Sequence, residues 1–247
     1  IAAPYARDAD NNPVGKVYLI FGDDTKGGGQ IGDTEADAVL EPWGTVRRFG
    51  ISVSGAGDVN ADGYSDFVIG GNKINTNSRV SVNLYLGTAS AGTELESKDA
   101  HYVAAVDDIG ETNWREANRT SGNTSKHYQF GPYYGARVSG AGDVNGDGFS
   151  DFLLAGPTRD NNAGRVFLFT GRTLSPGGGA IEPETTRTGG ASTYLGTGLD
   201  GAGDFDGDGY DDVLAGLGVN NGNQRVFLYH GGADGSLWSR TTTFPRP

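Results

Sequence analysis

The sequence predicts an all-β protein built from repeated four-stranded units, and three observations support this prediction. One acidic nine-residue motif occurs three times, beginning at Asp58, Asp143 and Asp204. Short apolar runs bounded by glycine follow each copy, and glycine makes up 43 of the 247 residues without a collagen-like period. Repeats of this size are typical of β-propellers, whose blades bury their faces only by stacking on one another.

The elements of each repeat follow one order. A large apolar residue and a glycine come first, followed by a Gly-Ala-Gly tripeptide and the acidic motif. A short apolar run comes next, and after it a further strand that begins with Arg and Val. The apolar runs have the length and flanking glycines of strands. The order therefore predicts strand, acidic hairpin, strand, turn and strand, with a fourth strand before the next repeat. The tripeptides span 55–57, 140–142 and 201–203, and the strands that begin with Arg and Val span 79–86, 165–169 and 225–229.

The acidic motif predicts a loop that binds a hard cation, and Ca²⁺ is the expected ion. Each copy places side-chain oxygens at positions 1, 3, 5 and 9, a glycine at position 6 that permits a tight turn, and an aromatic residue at position 7. A solvated Asp/Gly turn is the alternative. Three copies with three or four carboxylates at these positions favour the cation, because the like charges would otherwise repel at close range. An EF-hand needs a bidentate Glu at position 12, where this chain has Ile69, Leu154 or Ala215.

Composition excludes several classes of function. The formal net charge of −12 argues against binding to nucleic acids or anionic membranes through a basic patch. No run approaches the roughly 20 apolar residues of a membrane-spanning helix, and the absence of Cys excludes disulfide scaffolds and thiolate zinc sites. Because weak carboxylate Ca²⁺ sites fill where calcium is near millimolar, we expect an extracellular or cell-surface protein. The chain has no Met, so we expect a processed or excised piece.

These motifs resemble the FG-GAP repeats of integrin α-subunit propellers and of many bacterial extracellular proteins. In that family an aromatic-Gly pair opens the inner strand and a DxNxDGxxD loop binds calcium between the first two strands. The resemblance covers nearly the whole chain. The family's Gly-Ala-Pro element, which ends the second strand, has drifted here to the segments 70–72, 155–157 and 215–217.

The resemblance implies that calcium is structural, tying each hairpin and shielding its carboxylates. The third loop has Asp206 where the others have Asn, so we expect it to bind Ca²⁺ most tightly. The implied ligands are side-chain oxygens, with a backbone carbonyl at position 7: Asp58, Asn60, Asp62, Tyr64 and Asp66; Asp143, Asn145, Asp147, Phe149 and Asp151; Asp204, Asp206, Asp208, Tyr210 and Asp212.

The resemblance also predicts one partial propeller over residues 1–247, with three full blades and a partial N-terminal blade. The expected blades span about 1–48 (partial), 49–133 with a long insertion at 88–130, 134–194 and 195–247. Family propellers have about seven blades. A second copy or another chain is therefore expected to complete the ring, unless the chain is a cut fragment.

The predicted function is adhesion, or binding of a protein or carbohydrate ligand, with no catalytic residues. No nucleophile elbow, zinc-binding helix motif, P-loop or dinucleotide fingerprint is present. The alternatives are a structural or assembly part of a larger surface protein and, less favoured, a polysaccharide lyase or hydrolase. The insertion, which includes Trp114 and two glycosylation sequons at Asn118 and Asn123, is a candidate ligand surface or a polar excursion. Trp43 and Trp238 are expected to pack in outer strands, and the three His residues are not expected to bind metal.

Overall fold

The described part of the chain is almost entirely β-structure. A computed structural model describes residues 1–8, 10–21, 36–42, 46–73, 79–87, 101–102, 128–129, 137–174, 181, 183–218, 224–235 and 237–244. One four-residue segment, α1 (Arg159–Asn162), has helical hydrogen bonding, but positive φ values at Asp160 and Asn161 make it a left-handed turn. The predicted all-β class is therefore confirmed. Trp43, Trp114 and the two sequons lie outside the described residues.

The strands form four antiparallel sheets that follow one another along the chain. The first sheet has the order β1-β2-β3, the second β4-β5-β6-β7 with β8 also paired to β6, the third β9 to β12 and the fourth β13 to β16. The strands are β1 (Ala2–Ala3), β2 (Lys16–Leu19), β3 (Ala38–Leu40), β4 (Val46–Gly57), β5 (Asp66–Lys73), β6 (Arg79–Tyr85), β7 (His101–Tyr102), β8 (Tyr128–Gln129), β9 (Arg137–Gly142), β10 (Asp151–Gly156), β11 (Arg165–Phe169), β12 (Thr185–Thr188), β13 (Leu195–Gly203), β14 (Asp212–Leu217), β15 (Val226–Tyr229) and β16 (Thr241–Phe244).

This arrangement confirms three full blades and a partial first blade. In each full blade the acidic loop joins the first strand to the second, as predicted. The short strands β7 and β8 both lie within the predicted insertion 88–130 and pair with β6. The outer edge of the second sheet is therefore built from the insertion itself.

Stacking of the sheets explains why the short apolar runs are continuous rather than alternating. All six residues of β10 are buried, and successive side chains of a strand point to opposite faces. Phe152 and Leu154 pack into a core with Val68 and Leu84 of the second sheet. Leu153 instead packs into a separate core with residues of the fourth sheet. Because both faces of this blade are covered, the residues from Phe152 to Ala155 are all apolar, and Asp151 at the start of β10 is its one polar side chain.

The inner strands β4, β9 and β13 lie side by side at very short range. A Cβ added to Gly140 would lie 2.5 Å from the carbonyl oxygen of Gly55 in the neighbouring blade. The amide of Gly140 also donates a 3.1 Å hydrogen bond to Ser54 Oγ. The Gly-Ala-Gly tripeptides therefore bring neighbouring blades close enough for direct contact between their backbones.

Candidate metal centres in the three acidic loops

The acidic loops occupy equivalent positions at one end of the three full blades. Each loop turns at the glycine in position 6, where φ is +90° at Gly63, +88° at Gly148 and +94° at Gly209. Residues with a Cβ rarely adopt this conformation. The same backbone path therefore recurs in all three loops, so their side chains can be compared position by position.

The first Asp of each loop holds the turn closed. In the first loop Asp58 Oδ1 accepts the amide of Asp62 at 3.0 Å and Asp58 Oδ2 accepts the amide of Gly63 at 2.8 Å. Asp143 and Asp204 make the equivalent pairs of bonds in the other loops. The loop amides thus orient this carboxylate, which faces the side chains at positions 3 and 5.

Positions 3 and 5 supply further oxygens that are held by hydrogen bonds within the loop. Asn60 donates from Nδ2 to Asp62 Oδ2 at 2.8 Å, and Asn145 donates to Asp147 Oδ2 at 2.9 Å. Asp62 Oδ1 accepts the amide of Tyr64 at 2.9 Å. In the first two loops the Asn amide therefore compensates part of the charge on the carboxylate at position 5.

The Asp at position 9 is buried and ties the loop to the rest of its blade. Asp151 is fully buried; its Oδ2 accepts the amide of Val144 at 2.9 Å and its Oδ1 accepts the amide of Gly171 at 2.8 Å. Asp66 and Asp212 bond to the equivalent amides. Position 9 thus links the loop to the end of the third strand, a role that the motif alone did not reveal.

Burial changes the ionisation of two of these carboxyls. Loss of hydration raises the pKa of Asp151 to about 7 and that of Asp66 to about 6; nearby loop carboxylates raise both further, and the backbone hydrogen bonds oppose the rise. A bound cation would favour the charged forms. Without a cation, these two carboxyls therefore hold a proton more readily than ordinary Asp side chains.

The aromatic residues at position 7 differ in burial. Tyr64 is 42% exposed, while the ring of Tyr210 lies over Gly146 of the preceding loop, 2.7 Å from a Cβ added there. The Tyr210 ring therefore packs against the preceding blade.

Within the described parts of the chain, two side chains at the third loop, Asp206 and Arg240, have no counterpart at the other loops. Asp206 cannot donate as Asn60 and Asn145 do, and Arg240 instead donates 2.9 Å hydrogen bonds to both Asp206 Oδ2 and Asp208 Oδ2. This guanidinium holds the pKa of Asp208 below its ordinary value. The sequence prediction of tightest Ca²⁺ binding counted the added charge of Asp206 but not the compensating charge of Arg240.

His230 also lies against the third loop. Its side chain is 10% exposed, and Nδ1 lies 3.2 Å from Asp206 Oδ2 and 3.5 Å from Asp212 Oδ2. The sequence analysis did not expect any His to lie at a metal site. A comparison of the repeats could have indicated this residue. The position just before the glycine that closes the third strand is Leu86 and Thr170 in the other two full blades, but it is His230 here.

The donor set fits a hard divalent cation. Carboxylate oxygens of Asp204, Asp206 and Asp208 lie within 4.8 Å of one another, as do ligand atoms of Asp206, Asp212 and His230. The first two loops offer only oxygen donors, which Ca²⁺ prefers. All fifteen predicted ligand residues lie within the described part of the chain.

Comparisons with known proteins agree with the repeat pattern. Residues 143–215 match the family model described as FG-GAP-like repeat. The chain is 35% identical over 170 residues to integrin alpha-PS3 of Drosophila melanogaster, covering 68% of this chain and 12% of that protein. It is 27% identical over 183 residues to integrin alpha-5 of Xenopus laevis, covering 68% and 14% respectively. The chain therefore spans only about an eighth of the length of these relatives. The described residues include no helix that is long and apolar enough to cross a membrane.

Proposed function

The chain is an integrin-like FG-GAP repeat protein with a propeller-blade fold, and from this premise we propose that it is an extracellular ligand-binding or adhesion module whose blades are held by Ca²⁺ in the three acidic loops. The observation that carries the proposal is the equivalence of these loops. Each presents oxygens at positions 1, 3 and 5 and a buried carboxylate at position 9.

Calcium would act as a structural ion in this module. The ligands would be the side-chain oxygens at positions 1, 3, 5 and 9 with the carbonyl at position 7, as the sequence analysis set out. A divalent ion bound there would offset repulsion among carboxylates that already stand close together. It would also stabilise the hairpin between the first two strands, from which the loop contacts the next blade.

Contacts between successive loops support a role in holding the blades together. The carbonyl oxygen of Asp58 accepts the amide of Ser150, and the carbonyl oxygen of Asp143 accepts the amide of Asp211 at 3.0 Å. The side chain of Asp211 also accepts the amide of Asp143 at 2.7 Å. A cation that fixes one loop would therefore help to position the next blade.

Thermal unfolding with and without Ca²⁺ tests the cation. EDTA should lower the melting temperature, and Ca²⁺ should restore it by mass action, at about 2.7 kcal/mol per site when free Ca²⁺ is 100 times its Kd. Mg²⁺ at the same concentration is the control, because it demands a smaller octahedral site. A melt that is unchanged by EDTA would remove calcium from the proposal.

A glycan array run at millimolar Ca²⁺ and in EDTA tests the kind of ligand. Calcium-dependent binding to glycans would identify a carbohydrate-binding adhesion module. A blank array from well-folded protein would favour a protein ligand or a spacer role without its own ligand.

A structural role in assembly is the second candidate, and the last blade supplies the observation that favours it. Position 2 of the loop is Val59 or Val144 in the first two loops, both buried by the next blade, whereas Phe205 in the third loop is 64% exposed. The fourth sheet thus presents to solvent the surface that its equivalents bury. A further FG-GAP blade, from a second copy or another chain, is the partner that this surface fits.

A further inference from the structure

We propose that the third loop contains a Zn²⁺ site formed by His230 Nδ1, Asp206 and Asp212, and that Zn²⁺ competes there with Ca²⁺. The proposal rests on the proposed function only in treating the third loop as a cation site. It differs in assigning a nitrogen ligand and a transition metal to one loop of the three.

The His230 imidazole is buried, and one of its ring nitrogens is unbonded. The His230 side chain is nine-tenths buried, and Nδ1 is a buried atom without a hydrogen-bond partner. The other ring nitrogen, Nε2, lies 3.0 Å from Thr242 Oγ1. A proton on Nε2 that bonds to this hydroxyl leaves the Nδ1 lone pair directed at two carboxylates. Three negative or electron-rich groups then face one another, an arrangement that a cation between them would stabilise.

The second argument is the spacing of the donor atoms. Tetrahedral Zn²⁺ with bonds of about 2.0–2.2 Å to nitrogen and carboxylate oxygen separates its ligand atoms by roughly 3.3–3.6 Å. The Nδ1-to-oxygen distances are 3.2 Å to Asp206 and 3.5 Å to Asp212. Two of the three donor separations therefore match a tetrahedral site, and ligand atoms of all three residues lie within 4.8 Å of one another. Water would be the fourth ligand.

The third argument is chemical selectivity. Imidazole suits zinc and other transition metals, whereas Ca²⁺ takes oxygen ligands. A ligating His usually has its second ring nitrogen hydrogen-bonded, which fixes the tautomer and the ring orientation. Thr242 is positioned to do this for His230. We infer that Thr242 is a positioning residue.

The fourth argument comes from comparing the repeats. The last blade alone has both Asp at loop position 3 and His before the glycine that closes its third strand. The equivalent residues are Asn60 with Leu86 in one blade and Asn145 with Thr170 in the other. The two departures from the repeat are thus 24 residues apart in sequence yet meet at one point in the fold.

The charge of the third loop is compatible with a divalent ion. The loop has carboxylates at ligand positions 204, 206, 208 and 212, and the Arg240 guanidinium bonds to two of them, Asp206 and Asp208. Arg240 contacts Asp206 Oδ2, the same oxygen that faces His230, but it is more than half exposed. Arg240 is therefore free to shift outward or to bond to the other carboxylate oxygen when that oxygen binds a metal.

The test is direct metal binding to the metal-free 247-residue chain, by titration with Zn²⁺ against a chromophoric chelator. We expect one equivalent of Zn²⁺, and we expect H230T to weaken it by more than about 100-fold, since loss of an outer-shell partner alone weakens metal binding by about 10- to 100-fold. The variant T242V should lose roughly 10-fold. H230T is a conservative choice because the blade of the second loop already carries Thr170 at the equivalent position.

Two further readouts separate this proposal from the calcium proposal. Zn²⁺ should displace one of three bound Ca²⁺ ions from the wild type and none from H230T, whereas the first two loops should keep their Ca²⁺ in both proteins. Co²⁺ at the site should show the visible absorption of a tetrahedral nitrogen-oxygen site, and H230T should lose it. Zn²⁺ binding that is absent from the wild type, or that is equal in the wild type and H230T, would overturn the assignment. Absence of Ca²⁺ binding with intact Zn²⁺ binding would instead contradict only the proposed function.

Discussion

At the scale of single residues, the acidic motif contains side chains with two different roles, although the sequence pattern predicted one role, cation binding, for all of them. The side-chain oxygens at positions 1, 3 and 5 lie within the loop, whereas the carboxylate at position 9 is buried and bonds to two backbone amides. A buried amide that loses its partner costs about 1–3 kcal/mol. Removal of position 9 should therefore destabilise the fold even when no cation is bound.

We expect Asp151→Ala to lower the free energy of unfolding by about 2–6 kcal/mol in EDTA, because the amides of Val144 and Gly171 both lose their acceptor. Asp147→Ala is the matched control, since its exposed carboxylate bonds within the loop. That variant should change stability little in EDTA but should lose part of the stabilisation given by Ca²⁺. Urea denaturation measures both quantities, and equal losses for the two variants in EDTA would contradict the separation of roles.

The raised pKa of Asp151 predicts a pH dependence in metal-free protein. The carboxyl titrates near 3.8 when unfolded and near 7 when folded, so between these values the native state holds a proton that the unfolded state has lost. The free energy of unfolding therefore falls as pH rises. This contribution is fully present below about pH 4 and is lost as pH passes about 7. Asp66, with a pKa raised to about 6, acts in the same direction over a lower range.

The variant Asp151→Asn isolates this effect, because Asn has the size of the protonated acid and does not titrate. In EDTA, the stability of the wild type relative to this variant should decrease between pH 4.5 and pH 8. Melting temperatures of both proteins across this range measure the difference. Parallel curves would show that Asp151 titrates no differently in the folded and unfolded states.

At the scale of the elements, strand order and loop position were predictable from the sequence because they repeat. The apolar runs of β5, β10 and β14 lie directly after the acidic motif, and burial on both faces accounts for the continuous apolar run of β10. The outer strands carried no such signal. β12, with sequence Thr-Thr-Arg-Thr, is mostly exposed, and β7 and β8 are two residues each. Their place depends on pairing with a neighbour rather than on a pattern of their own.

The third candidate metal centre shows the same limit. Asp206 belongs to a recognisable motif, but Arg240 and His230 reach it through the pairing of β15 with β16, in which Tyr229 lies opposite Thr241. His230 directly follows one strand and Arg240 directly precedes the other. No local spacing encodes that meeting. Position-by-position comparison of the repeats would have identified His230, because its counterparts are Leu86 and Thr170.

The Gly-Ala-Gly tripeptides give a prediction about the contact between inner strands. A Cβ at Gly140 would lie 2.5 Å from the Gly55 carbonyl oxygen, whereas a Cβ at Gly55 meets no atom within 4 Å. Gly140→Ala should therefore destabilise the protein by about 1–3 kcal/mol through overpacking. Gly55→Ala, the matched control in the same tripeptide, should be neutral or slightly stabilising. Denaturant titration of both variants tests this, and equal effects would show that the inner strands are not in close contact.

At the scale of the whole molecule, the same contact joins the second sheet to the third and the third sheet to the fourth. The equivalent face of the fourth sheet has no neighbour among the described residues. A Cβ at Gly142 would collide with Asp211 of the next blade, whereas a Cβ at the equivalent Gly203 meets nothing within 4 Å. The carbonyl oxygens of Val59 and Val144 accept amides of the next blade, from Arg172 and Gly232. The fourth sheet therefore exposes the surface that the second and third sheets use to contact the next blade, and Phe205 is an exposed apolar residue on it.

We expect this surface to drive association through Phe205. Light scattering over a range of concentrations should show the wild-type mass rising above the 25.7 kDa of one chain, and Phe205→Ser should shift the mass back toward that value without loss of stability. Val144→Ser is the matched comparison at the same loop position. Because Val144 is buried within the chain, that variant should cost about 1.5–3 kcal/mol of folding free energy. A wild-type chain that stays monomeric at every concentration would contradict association between copies and would leave a blade from another chain as the partner of this face. Destabilisation by Phe205→Ser as large as that by Val144→Ser would show instead that Phe205 already packs inside its own chain.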